Sequence, residues 1–308
     1  MKMFQTLSLA ALSVGSFFIS SLPANASTIL VSRYGGTFIG RLDSSGSPSN
    51  PAFINSGAGF PIGIAADNVN GKIYWGDGGT FAIRSANFDG SGVSLFTNLT
   101  GPNIRTTDMA IDPVGGFLYY SADIGARIGR INLSTRANTT LFNFSQGYGI
   151  AIDTSKGKLY YSSDSNRFIG QANLDGTGMI SNFIDLGAGA GAYGLGIDSV
   201  NNRLYWAGSN ARIGSANLDG TNVLLNIVSV SNVRDVTVDS SIGKIFYTNN
   251  GVIGTANLDG TNANNSFATG YGAAWGITTA NNVPEPSAYL LSLTGLGALL
   301  AVARRKRK

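Results

Sequence analysis

The sequence predicts an all-β fold, a six-bladed β-propeller, because one segment of about forty residues recurs six times along the chain. A short apolar strand ending in Asp marks five copies, and the sixth, GITTA at 276–280, has Ala280 in place of the Asp. The markers are Asp67, Asp112, Asp153, Asp198, Asp239 and Ala280, at steps of 45, 41, 45, 41 and 41 residues. A period in the forties with strand-type alternation is typical of propellers, in which each repeat forms one four-stranded antiparallel sheet.

Four strands can be assigned within a repeat, and the copy at 194–228 shows them in order. GLGID at 194–198 is small and apolar, which suits an innermost strand beside a narrow channel. RLYWAG at 203–208 carries an aromatic doublet expected to pack between neighbouring sheets, ARIGSANLD at 211–219 forms the third strand, and VLLNIV at 223–228 the outer one. Asp-Gly at 219–220 and Asn-Gly at 250–251 predict two-residue hairpins, which need positive φ.

The two ends of the propeller sequence together supply the sixth blade. ILVSR at 29–33, IGRLDSSG at 39–46 and AFINS at 52–56 match the outer three strands of a repeat, and WGITTA at 275–280 matches the innermost strand. Pairing these segments closes the ring within a domain spanning 27–282. A five-bladed ring would leave them unpaired.

The N-terminal segment, 1–26, has the features of a secretory signal peptide. Lys2 gives a charged start, residues 7–19 an apolar core, and Ala24 and Ala26 the small residues of a cleavage site. The alternative is an uncleaved membrane anchor.

The C-terminal segment, 283–308, joins three features in order. Pro284-Glu285-Pro286 precedes a 16-residue apolar run at 288–303, read as a transmembrane helix, and the chain ends in RRKRK. This arrangement resembles the PEP-CTERM sorting signal of exported bacterial proteins. The resemblance implies recognition by an exosortase-type sorting enzyme, transient anchoring in the inner membrane with the propeller outside the cytoplasm, and delivery to the cell surface or extracellular matrix. A plain membrane tail with a proline-bearing linker is the alternative.

Composition restricts the chemistry available to the chain. Cys and His are absent and the only Glu is Glu285, so thiolate, imidazole and disulfide chemistry are excluded. Between residues 27 and 282 there are 15 basic and 16 acidic residues, which gives no support to nucleic-acid binding. No cofactor or metal site is predicted, although the sequence leaves calcium binding open.

The repeats resemble the LDL-receptor class B, or YWTD, repeat of six-bladed propellers. The matching segments are IAADNVNGKIYWGD at 64–77, IAIDTSKGKLYYSS at 150–163 and LGIDSVNNRLYWAG at 195–208. The Thr-Asp half of the signature is lost almost everywhere, and only Asp77 keeps its acidic position. The resemblance therefore implies the fold, and a scaffold with a binding face, but no set of ligand-binding residues.

The recurrent aspartates have two interpretations. They could be catalytic acids or calcium ligands, but an acid at the same place in every repeat is better explained as a cap on the backbone N–H groups of the following turn.

More informative are positions where the repeats disagree, at the start of the innermost strand. One position reads Ile62, Thr107, Tyr148, Tyr193, Arg234 and Trp275, and the next reads Gly63, Asp108, Gly149, Gly194, Asp235 and Gly276. In a six-bladed ring Asp108 and Asp235 lie three blades apart, across the channel mouth. We predict a ligand-binding surface for a saccharide or peptide formed by Asp108, Tyr148, Tyr193, Arg234, Asp235 and Trp275. The alternative is that these aromatic side chains plug the channel or pack between blades.

Three functions follow from this reading. The first is a non-catalytic exported propeller used for adhesion or matrix binding, with an extracellular polysaccharide or a surface protein as partner. The second is a secreted hydrolase or lyase that uses Asp108 and Asp235, against which stands the lack of His, Cys and Glu in the domain. The third is a purely structural matrix component.

Overall fold

The computed structural model describes residues 27–47, 49–57, 59–101 and 103–280, which form 24 strands in six antiparallel sheets. The predicted signal peptide at 1–26, with Ala24 and Ala26, and the predicted sorting signal at 283–308, with Pro284, Glu285 and Pro286, lie outside the described residues. None of the described residues belongs to a helix long and apolar enough to cross a bilayer.

Each blade has four strands, ordered from the channel outward. Blade 1 contains β24 (Ala274–Ala280), β1 (Thr28–Arg33), β2 (Phe38–Asp43) and β3 (Ser49–Asn55). Blade 2 contains β4 (Pro61–Asp67), β5 (Lys72–Asp77), β6 (Ala82–Asn87) and β7 (Ser94–Asn98). Blade 3 contains β8 (Arg105–Asp112), β9 (Phe117–Ile124), β10 (Arg127–Asn132) and β11 (Asn138–Asn143). Blade 4 contains β12 (Gly147–Asp153), β13 (Lys158–Ser163), β14 (Phe168–Asn173) and β15 (Ile180–Asp185). Blade 5 contains β16 (Ala192–Asp198), β17 (Arg203–Gly208), β18 (Arg212–Asn217) and β19 (Leu224–Ser229). Blade 6 contains β20 (Val233–Asp239), β21 (Lys244–Asn249), β22 (Val252–Asn257) and β23 (Asn264–Ala268).

The ring closes as the sequence predicts. β24 pairs antiparallel with β1, with Thr28 opposite Ala280 and Val31 opposite Ile277. Each innermost strand contacts the innermost strands of both neighbouring blades, and the last such contact, between β24 and β4, completes the circle. The prediction of six blades is therefore confirmed.

The core consists of six hydrophobic clusters, one in each interface between adjacent blades. Successive residues of a strand face opposite sides of its sheet, so the two rings of a doublet enter different interfaces. Between blades 4 and 5, the first ring of one doublet, Tyr160, and the second ring of the next, Trp206, share a cluster. Gly214 lies under Trp206, and a Cβ there would stand 2.3 Å from that ring. The aromatic doublets are thus the packing that joins blades, as predicted.

The turn after each innermost strand confirms the predicted capping. The Asp67 carboxylate accepts hydrogen bonds from the backbone N–H groups of Val69, at 3.0 Å, and Asn70, at 2.9 Å. Hydrogen bonds of the same kind are made by Asp112, Asp153, Asp198 and Asp239.

The two predicted hairpin turns differ. Asn250 and Gly251 both have positive φ, 45° and 86°, as a two-residue turn requires. At 219–220, however, only Gly220 has positive φ, and the prediction of a two-residue turn there is wrong. Asn217 accepts a backbone bond from Gly220 and donates one to the Thr221 carbonyl, both at 2.9 Å, so the loop is longer and ends on a left-handed glycine. The Asp219 carboxylate instead bonds the Thr221 N–H and hydroxyl.

The topology defines two faces. The top face is the side on which the innermost strands begin, and it carries the positions where the repeats disagree. The bottom face is the side on which those strands end, and there the described chain both starts, at Ser27, and ends, at Ala280.

Candidate functional site

Three of the predicted site residues, all aromatic, meet over the channel at the centre of the top face. The rings of Tyr148 and Trp275, on strands three blades apart, lie stacked with centroids 6.4 Å apart. Tyr148 also makes an edge contact with Tyr193 at 5.3 Å. The rings therefore converge rather than standing separately around a rim.

Arg234 holds this group together through its guanidinium. That group lies 4.6 Å from the centroid of the Tyr193 ring and 5.1 Å from that of the Trp275 ring. Cation–π contacts of this kind are worth about 0.5–2 kcal/mol each, depending on how far water is excluded. Among the six residues at this position of the innermost strands, Arg234 in blade 6 is the one base. It places a positive charge among the rings.

Two further aromatic side chains join the group, and the sequence analysis missed both. Tyr34 packs 4.9 Å from Trp275 and 5.0 Å from Phe60, measured between centroids. Both lie in connections outside the repeat alignment, so no periodic position pointed to them. We call the set Tyr34, Phe60, Tyr148, Tyr193, Arg234 and Trp275 the channel-mouth cluster.

The backbone beneath the cluster is fixed by hydroxyl groups from the preceding blade. The four donor–acceptor pairs are Ser32 with the Ile62 carbonyl, Ser121 with Tyr148, Ser162 with Tyr193 and Thr248 with Trp275. Three of these hydroxyls also accept a hydrogen bond from a backbone N–H group. Ser32 accepts from Gly276, Ser162 from Gly149 and Thr248 from Asp235. In the sequence these hydroxyls are marked by a Ser or Thr that directly follows the aromatic doublet in blades 3, 4 and 6.

Asp108 and Asp235 lie below the cluster, where both line the central channel, as their positions in the ring predicted. The Asp108 carboxylate accepts backbone N–H groups from Met109, at 2.7 Å, and from Ile150 of the next blade, at 2.9 Å. Asp235 does the same with Val236 and Ile277, both at 2.8 Å. Each acid therefore joins its own innermost strand to the next one.

The environment of the two acids favours their neutral forms. Burial raises the pKa of Asp108 to about 7, against the hydrogen bonds that stabilise its charge. Burial and, second, the charge of Asp108 raise the pKa of Asp235 well above its usual range. Gly194 lies against this second acid: a Cβ there would stand 1.8 Å from the Asp235 Oδ1, so only glycine fits.

Below the acids, a channel of about 210 Å³ is lined by the innermost strands. Above them, a small cavity of about 10 Å³ lies between the acids and the rings of Tyr148 and Trp275. The acids are 6% and 5% exposed, so the cluster separates them from the top surface.

This arrangement determines what a partner can reach. The Trp275 ring is already in contact with Tyr34, Tyr148 and the Arg234 guanidinium, while Tyr148, Tyr193 and Arg234 remain half-buried. Tyr34 is 39% exposed, and Asp164, at the edge of the group, is partly exposed with its pKa raised by burial. Within the described ranges, no three acidic side chains are grouped closely enough to hold a metal ion.

No family model matches the chain. Among solved structures, a chain in the crystal structure of the nidogen/laminin complex is similar with a TM-score of 0.71 and 22% identity, over 82% of this chain and 98% of that chain. The likeness establishes the fold. It supports the architecture of a YWTD-type six-bladed propeller, and at this identity it carries no assignment of activity.

Two enzymes are similar in structure at lower TM-scores. A virginiamycin B lyase from Staphylococcus aureus has a TM-score of 0.52 and 18% identity, over 73% of this chain and 71% of that chain. A gluconolactonase from Xanthomonas campestris has a TM-score of 0.56 and 14% identity, over 73% and 83%. Since both a protein from a binding complex and enzymes use this fold, function must be argued from the site.

Proposed function

We propose that this protein is an exported, non-catalytic propeller that binds a surface or matrix partner through the channel-mouth cluster. The observation that carries the proposal is the composition of that cluster: five aromatic side chains, three of them tyrosines, and one arginine with two ring contacts, at the centre of an accessible face. Trp, Tyr and Arg are the residue types that dominate binding energy at protein interfaces.

The geometry favours a protein partner over a polysaccharide. Trp275 is already packed against Tyr148, Tyr34 and the Arg234 guanidinium, which leaves less of its ring free for the face stacking by which sugars bind. The nidogen/laminin structure shows that a similar propeller occurs in a protein complex.

Tryptophan fluorescence tests this proposal directly. Trp75 and Trp206 are 0% and 2% exposed, so a partner on the top face should perturb Trp275 alone. The propeller (27–282) would be titrated with purified surface and matrix proteins of the host, and separately with its extracellular polysaccharide. A saturable change that disappears in Trp275→Phe is expected with a protein. Saturation with polysaccharide alone would replace the partner class, and no response to either would contradict binding at this face.

We further propose that the chain reaches its site of action through an N-terminal signal peptide at 1–26 and a C-terminal sorting signal at 283–308. The support is the order of Pro284-Glu285-Pro286, the apolar run and the basic end. Mass spectrometry of the exported protein, with and without the host's sorting enzyme, should show loss of RRKRK only when the enzyme is present. An intact C-terminus in both strains would contradict sorting.

The raised pKa of Asp108 is the one observation that favours the alternative, an enzyme, because general acids often titrate near neutrality. Against it, both acids are engaged by backbone N–H groups beneath the cluster. Turnover of a saccharide that is lost in Asp108→Asn, while the variant keeps its fold, would establish that alternative.

A further inference from the structure

We propose that the bottom face of the propeller is a lipid-docking surface, which rests against the bilayer in which the C-terminal segment of the proposed function is anchored. The inference rests on that proposed membrane segment and adds to it a contact made by the folded domain itself.

The first observation is a ring of exposed apolar side chains around the lower channel mouth. They occupy the tips of the turns that follow the innermost strands in blades 2, 3, 5 and 6. Their exposures are 67% for Val69, 89% for Val114, 78% for Val200 and 44% for Ile242. Turn tips ordinarily carry Gly, Asn, Asp or Ser, as blade 4 does with Ser155. Valine at the equivalent place in three blades, and Ile242 one position later in blade 6, therefore need another reason than turn formation. Apolar side chains gathered on one face mark an interaction site.

The second observation is where the described chain ends. Blade 1 has no such turn, because its innermost strand is β24, and the chain leaves the bottom face there at Ala280. Seven residues, 281–287, separate that point from the apolar run at 288–303. Even fully extended, seven residues reach about 25 Å. A membrane segment at 288–303 therefore holds the bottom face, with its aliphatic tips, close to the bilayer surface.

Charge selects among lipid surfaces. The turns farther out on the same face carry ionised acids, and hydrogen bonds from the neighbouring Thr or Ser lower the pKa of Asp89, Asp175, Asp219 and Asp259. Bases lie among them, such as Lys72, whose ammonium bonds the Asn87 side chain. Lys158 and Lys244 make the same bond in blades 4 and 6, so acids and bases are mixed over the described part of this face. This mixture fits a zwitterionic bilayer entered by the aliphatic tips better than an anionic one.

The absence of cysteine makes a site-specific test possible. The full chain would be reconstituted into phosphatidylcholine vesicles carrying a lipid-attached quencher, with an environment-sensitive fluorophore on Val200→Cys. The matched control is Asn210→Cys, an exposed position in the top-face turn of the same blade. We expect a blue shift and at least two-fold stronger quenching at position 200 than at 210. A second variant, with Val69→Asn and Val114→Asn added to the labelled chain, should lose most of that difference while still floating with vesicles.

Each of the other possible results would overturn the inference and would show which of its premises is wrong. A chain that floats but shows equal quenching at 200 and 210 has its anchor and no docking surface, and the proposed function stands. A chain that does not float with vesicles lacks the membrane segment, which removes that part of the proposed function as well. Disulfide formation between two unlabelled Val200→Cys copies, with no lipid quenching of the labelled protein, would assign the face to a second copy of this chain.

Discussion

Replacing Thr248 by Val should both destabilise the propeller and make Trp275 more mobile. The reason is that the buried Thr248 hydroxyl is hydrogen-bonded to the backbone of two innermost strands, β20 and β24. Thr248 is 0% exposed. Its hydroxyl donates to the Trp275 carbonyl at 2.9 Å and accepts the N–H of Asp235 at 3.0 Å. Valine keeps the shape and removes both hydrogen bonds.

The expected cost follows from these two bonds. Each buried bond lost, with its backbone partner left unsatisfied, costs roughly 1–1.5 kcal/mol, so the variant should lose about 2–3 kcal/mol. For a domain of this size, that corresponds to a fall in Tm of roughly 4–12 °C. Thr248→Ser keeps the hydroxyl and loses one methyl group, so it should lose less, about 1 kcal/mol.

Urea unfolding of the two variants, followed by circular dichroism, measures the difference, and acrylamide quenching of Trp275 reports the local effect. Thr248→Val should increase quenching, since the Trp275 carbonyl is no longer held. A Thr248→Val protein within 0.5 kcal/mol of the parent, with unchanged quenching, would refute the idea that interblade hydroxyls fix the cluster.

Three further predictions concern the acids, a glycine and the ion pairs. The pKa of Asp108 is raised from 3.8 to about 7, so between these pH values the folded state binds a proton that the unfolded state has lost. The free energy of unfolding should therefore fall as pH rises from 4 through 7. Urea titrations at several pH values should show this slope in the parent and a flatter one in Asp108→Asn. Gly194→Ala places a Cβ 1.8 Å from a buried carboxylate oxygen and should lower the free energy of unfolding by more than about 2 kcal/mol. In Gly36→Ala the Cβ meets nothing nearer than 3.4 Å, so the loss should be under about 1 kcal/mol. Equal melting temperatures of the two variants would contradict this. Arg84→Met leaves the Asp77 carboxylate, which is 2% exposed, without its ion pair and should lower the free energy of unfolding by roughly 2–4 kcal/mol. Arg167→Met removes an ion pair that is about half exposed at each partner and should have almost no effect on stability. The reverse order of stability in denaturant melts would refute the argument from burial.

The fold could be predicted in detail because repetition makes one physical solution visible many times. The aromatic doublets, the capping aspartates and the split sixth blade each recur or complete a recurring pattern, and all three are confirmed. The hairpin at Asp219-Gly220 was mispredicted because the same dipeptide serves two loop lengths. Its length is decided by hydrogen bonds between Asn217 and Thr221, which a dipeptide pattern does not contain.

The candidate site was predicted less completely, for a physical reason. The series that contains Tyr148, Arg234 and Trp275 was found because these positions break the repeat. Whether the rings of Tyr148, Tyr193 and Trp275 stay apart or pack together depends on how far each side chain extends over the channel. The sequence does not contain that distance. Tyr34 belongs to no repeating position, so periodicity could not identify it.

The closure of the ring by β24 has a mechanical consequence. Trp275 and Ala280 are on this same strand, five residues apart, and β24 pairs with one strand only, β1. A pull between a partner held at Trp275 and an attachment beyond Ala280 would act first along β24. Such a load reaches the other blades through the hydrogen bonds that Thr248 and Asp235 make with β24. It is also shared by the side chains packed around Trp275, the guanidinium of Arg234 and the rings of Tyr34 and Tyr148. The cluster that offers the binding surface would then also spread tension from one strand into four blades.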